Sequence, residues 1–69
     1  MKRTDLERTL REAARDAGLS LQVDRGKRHD KVTIGEIAVT VPRHREINEY
    51  TAEGILKSFE GVFGKRWWR

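Results

Sequence analysis

The chain has two histidines, His29 and His44, and each stands among cations. Residues Arg25 to Lys31 carry Arg25, Lys27, Arg28 and Lys31 against Asp30, a net +3 in seven positions. Just past Pro42, His44 is flanked by Arg43 and Arg45. Imidazole is the side chain whose unperturbed acidity suits it to take and give protons near neutral pH. Lys and Arg beside it would contact phosphate oxygens. Proton transfer at a phosphate is therefore the chemistry these segments could support. The plainer reading is a solvated charged loop, with His44 capping or orienting the chain after Pro42.

Rival chemistries find little footing. There is no cysteine, which excludes a disulfide framework, a thiolate zinc finger and a thiol nucleophile. The acidic residues are scattered rather than paired, so no zinc or two-metal site suggests itself. Ser20 and Ser58 lack a His and Asp constellation, and Gly35-Glu36 reads as a turn rather than a phosphate-binding loop. Any catalysis is expected to be carried by His, without metal or cofactor.

The elements that must position these groups follow from periodicity. Leu6, Leu10, Ala13, Ala14 and Ala17 share one helical face, with Gly18 placed to stop the helix. Thr4 and Glu7 have the spacing of a capping box. Three runs then alternate apolar and polar residues: Leu19–Val23, Lys31–Ile34 and Ile37–Val41. Gly35-Glu36 suits a two-residue type II′ hairpin between the last two, and Pro42 ends the third strand. The charged stretch Asp24–Asp30 would connect the first two strands. A second helix is expected from near Thr51, with Ala52, Ile55, Leu56, Phe59 and Val62 or Phe63 inward. Gly54 inside it costs about 1 kcal/mol relative to Ala and hints at close packing. Tyr50 reads as a packing residue at the helix entrance.

With 69 residues, one domain is the limit. Residues 1–64 form that domain, and 65–69 are a basic Trp-Trp tail expected to cover one end of the core. The order is α-β-β-β-α, an α+β fold. Three strands with one apolar face each predict a three-stranded antiparallel sheet with both helices on that face. This is the arrangement of a double-stranded-RNA-binding domain. It would bring the loop holding His29 and the segment holding His44 to the same end of the sheet. The formal charge of +4 favours a polyanionic partner such as nucleic acid. No apolar run approaches the roughly 20 residues of a membrane span. The N-terminus enters a charged helical pattern directly, so a cytoplasmic protein is expected.

Three segments resemble the HicA toxins of bacterial HicA–HicB toxin–antitoxin systems. They are Gly26-Lys27-Arg28-His29-Asp30-Lys31, then Val39-Thr40-Val41-Pro42-Arg43-His44-Arg45-Glu46-Ile47, and Thr51-Ala52-Glu53-Gly54-Ile55-Leu56-Lys57. The likeness spans nearly the whole chain. Lys27 and Arg28 stand where the family carries small residues, and Val32 where it carries an aromatic. The resemblance implies an mRNA interferase that arrests translation and is blocked by a HicB-type antitoxin protein. By position it makes His29 the catalytic residue. Lys27, Arg28, Lys31, Arg43, His44 and Arg45 become the RNA-binding set. The alternative is a non-catalytic domain of the same shape, a degenerate toxin that binds RNA or docks an antitoxin.

Overall fold

A computed structural model describes residues Met1–Arg69 throughout. Helix α1 (Arg3–Asp16) buries Leu6, Leu10 and Ala14, the expected stripe. It ends in a Schellman arrangement: Gly18 takes φ +71° and its N–H donates to the Arg15 carbonyl at 3.1 Å, while Leu19 N–H reaches the Ala14 carbonyl at 2.8 Å. At the other end the expected capping box is absent. The helix begins one residue before Thr4, its N-cap is Lys2, and Glu7 is occupied by arginines instead.

Strands β1 (Leu21–Arg25), β2 (His29–Ile34) and β3 (Ile37–Pro42) form one antiparallel sheet in chain order. Leu21 pairs with Ile34 and Arg25 with Asp30, while His29 pairs with Pro42 and Ile34 with Ile37. Gly35 takes φ +61° at the β2–β3 turn while Glu36 stays at negative φ, as a type II′ hairpin requires. The connection between β1 and β2 is only residues 26–28, because the ladder extends through much of the charged stretch.

Asn48 caps α2 (Glu49–Ser58), its side chain accepting from Thr51 N–H at 2.8 Å. The apolar stripe continues past Phe59, but the helix does not. Phe59, at φ −96° and ψ 9°, breaks it and starts the four-residue α3 (Glu60–Phe63). Within the C-terminal helical segment the close approach is at Gly61, not Gly54: a Cβ there would lie 3.1 Å from Ile37 Cδ1, whereas one at Gly54 meets nothing.

Leu6, Leu10, Ala14, Val32, Ile34, Val41, Ile47, Ala52, Ile55, Leu56 and Phe59 make a single core between the helices and one face of the sheet. The other face of the sheet carries no helix. Tyr50 is 91% exposed, on the opposite side of α2 from Ala52 and Ile55, so it does not pack. The C-terminal aromatics extend the core. Trp67 donates its indole N–H to the Leu56 carbonyl at 2.8 Å, and its ring lies 4.7 Å from that of Phe63. No helix is long and apolar enough to cross a membrane. The connector after β3 is held to the start of α1 by Arg3 N–H to the Arg45 carbonyl (3.0 Å) and Ile47 N–H to the Met1 carbonyl (2.8 Å).

Candidate functional site

Side chains alternate across a strand, and directly paired residues share a face. Along β2 this puts His29, Lys31 and Thr33 on the open face and Asp30, Val32 and Ile34 toward the helices. His29 is exposed and sits beside Pro42; Lys31 lies between Asp24 of β1 and Thr40 of β3. Lys27 and Arg28 are exposed in the three-residue loop that leads into His29.

The loop and the segment after β3 do meet at one end of the sheet. Arg43 N–H donates to the Arg28 carbonyl at 3.1 Å. Pro42, His29's cross-strand neighbour, also lines a cleft of about 160 Å³ with His44, Glu46, Ile47, Asn48 and Thr51. His44 shares that cleft with His29's cross-strand neighbour, but His29 itself does not line it. Nor does Arg45, which lines a separate recess with Lys2, Thr4 and Glu46 at the start of α1. No three His, Asp or Glu side chains converge as a metal site.

Behind the open face lies a group that in the sequence is only a negative charge in a basic loop. Asp30 is fully buried. Arg3 of α1 and Arg25 of β1 both reach its Oδ2, Arg25 at 2.8 Å. Its Oδ1 accepts Gly26 N–H at 3.3 Å and lies 3.5 Å from Arg43 Nε. Arg43 also donates through Nη1 to the Gly26 carbonyl at 2.5 Å. Glu7 joins the cluster from α1, pairing with Arg3 and Arg11 at 2.9 Å each and with Arg25 at 3.4 Å. Arg25 and Arg43, although their side chains are 49% and 45% exposed, thus turn their guanidinium groups to Asp30, while Lys27, Arg28 and Lys31 are exposed and make no ion pair.

Desolvation pushes the Asp30 carboxyl up. The Arg25 hydrogen bond, the Gly26 N–H and the charges of Arg3 and Arg43 together outweigh it and hold the group below the usual Asp range. At Glu7 desolvation again opposes, and the Arg11 hydrogen bond with the charges of Arg25, Arg3 and Arg11 prevails, so its pKa is also lowered. The hydrogen bond to Asp30 raises Arg25 in turn. Both carboxylates stay ionised and serve as anchors rather than proton donors.

One signal could have revealed Asp30: it shares strand parity with Val32 and Ile34, so alternation alone turns it inward. Val32 likewise faces the core, 3% exposed, so position 32 shapes packing and not the open face. On that face the arrangement offers one exposed imidazole with an ammonium two residues on and a cationic loop before it. Comparison of the chain with protein-family models, with curated proteins and with solved structures finds no match.

Proposed function

We propose that this protein is a metal-independent endoribonuclease, a HicA-type toxin of a type II toxin–antitoxin pair, which cleaves mRNA and so arrests translation. One observation carries the reading. His29 lies exposed with unpaired Lys27, Arg28 and Lys31, while the acidic residue between them, Asp30, is turned to the far side and neutralised.

In the proposed reaction the RNA's 2′-oxygen attacks the adjacent phosphorus. The P–O2′ bond forms as the P–O5′ bond breaks, leaving a 2′,3′-cyclic phosphate and a 5′-hydroxyl. His29 either accepts the 2′-hydroxyl proton or supplies one to the departing 5′-oxygen, a role worth on the order of 10²–10⁴ in rate, and solvent water makes the other transfer. Lys27, Arg28 and Lys31 stabilise the charge that grows on the phosphoryl oxygens. His44, in the cleft beyond Pro42, engages a flanking phosphate, and Arg45 a more distant one. In this reading the protein works in the cytoplasm, and its antitoxin is a HicB-type protein that covers the same exposed cations.

Purified wild type and His29→Ala, incubated with RNA in excess EDTA, test the proposal. Fragments with cyclic phosphate ends from the wild type, and intact RNA from a variant that still binds, support it. RNA left intact by the wild type despite a salt-sensitive gel shift replaces it with a non-catalytic RNA-binding domain. Induction of both proteins in a bacterial host should arrest growth only with the wild type.

A further inference from the structure

We infer that Asp30 and Arg43 are positioning residues, which clamp loop 26–28 from beneath so that His29 is presented at a fixed place on the open face. The inference rests on His29 being the proton-transfer group. Asp30 Oδ1 holds the Gly26 N–H and Arg43 Nη1 the Gly26 carbonyl, so the loop's first residue is gripped at both backbone polar groups. Arg43's own N–H holds the Arg28 carbonyl, the last before His29. Asp30 is the residue after His29 and is pinned by Arg3 and Arg25 as well. The backbone is therefore fixed on both sides of the imidazole.

Gly26 adds a steric condition. A Cβ there would lie 2.4 Å from the His29 carbonyl oxygen, which binds the loop's first residue closely against the backbone of the histidine. Three residues with two long cationic side chains have no apolar anchor of their own, so these polar contacts set the loop's shape. Misplacing a reacting group by about 1 Å can cost on the order of 100-fold in rate. Arg43, which by sequence alone resembles a phosphate ligand, has its guanidinium between Asp30 and Gly26 instead.

Arg43→Lys is the discriminating variant, because Asp30 variants are expected to be strongly destabilised as well as to lose the clamp. An ammonium keeps the charge beside Asp30 but has no planar fork to hold Asp30 and the Gly26 carbonyl together. The clamp predicts three results. Backbone order parameters of residues 27–29 in the free protein fall from about 0.85 to below about 0.6. The kcat for RNA cleavage falls about 10- to 100-fold with KM within about twofold. The salt dependence of RNA binding keeps its slope. Unchanged loop order overturns the inference, as does unchanged kcat in a variant whose loop has loosened. In Arg43→Gln, a raised KM with the logarithmic salt slope reduced by about 0.7 would make Arg43 a phosphate ligand and also overturn it. A wild type that cleaves no RNA defeats the nuclease reading alone, and loop order then decides the clamp.

Discussion

Two cationic regions lie back to back across the β1–β2 hairpin and behave in opposite ways. On the helix side, the guanidinium groups of Arg3, Arg11, Arg25 and Arg43 converge on the carboxylates of Asp30 and Glu7. On the open side and at the loop tip, Lys27, Arg28 and Lys31 make no ion pair, although the exposed Asp24 stands opposite Lys31. The two sets interleave along the same short stretch of sequence. For Arg25, Asp30 and Lys31, strand parity and not proximity in the chain decides which charge joins the cluster and which stays on the open face. A net charge counted along a sequence therefore does not tell which cations are already balanced by a buried carboxylate.

The sharpest way to separate the regions is to change adjacent residues. His29→Ala should lower RNA cleavage by on the order of 10²–10⁴. Its Tm should stay within about 4 °C of wild type, because the residue is exposed. Asp30→Ala should do the reverse in kind: with arginines left unpaired against a buried site, Tm should fall by more than about 10 °C in a circular-dichroism melt. Equal Tm values for the two variants would erase the distinction.

Acid should act on stability through the helix-side carboxylates. Asp30 and Glu7 both titrate below their ordinary ranges in the folded protein, so the unfolded chain takes up protons first as pH falls. Stability from these groups is fully present above the unfolded values of about 4 and is lost as pH drops through the folded ones. Tm is expected to be level with respect to these groups from pH 8 to 6 and to decline below about pH 4.5, with a shallower decline in Glu7→Gln. Smaller effects should appear in RNA binding. Lys27→Ala and Arg28→Ala should each reduce the logarithmic salt slope by about 0.7. Arg25→Ala should leave the slope unchanged while lowering Tm. The smallest effect belongs to Thr33→Ala, on the open face away from the loop, where stability should change by no more than about 0.5 kcal/mol.

Much of the architecture was legible because burial imposes periods. The stripe Leu6, Leu10, Ala14 and the alternation Val32, Ile34 each point to one face, and Gly18 and Gly35 occupy the positive-φ positions that end α1 and turn the hairpin. What escaped were polar contacts distant in sequence. Glu7 has the spacing of a capping partner for Thr4, yet three arginines, one of them 18 residues away, hold it elsewhere. Asp30 was hidden by its neighbours: a carboxylate among cations reads as solvated until its parity with Val32 is considered. Tyr50 and Gly54 suggest packing by residue type, but their place on α2, away from the Ala52–Ile55–Leu56 stripe, puts both toward solvent. For the site, the meeting of the two histidine-bearing segments followed from antiparallel topology. The diversion of Arg25 and Arg43 did not, since a guanidinium's destination depends on which carboxylate the tertiary structure buries.

The alternation along β2 also bears on folding fidelity. If that strand slipped by one position against its neighbours, the imidazole would enter the apolar interior and the carboxylate would emerge among water, with every inward valine and isoleucine following it. Arg3, Arg25 and Arg43 can close on Asp30 in only one of those alignments. The arginine cage thus acts as a proofreader of strand pairing, rejecting the misthreaded chain before a histidine could be shown on the wrong side.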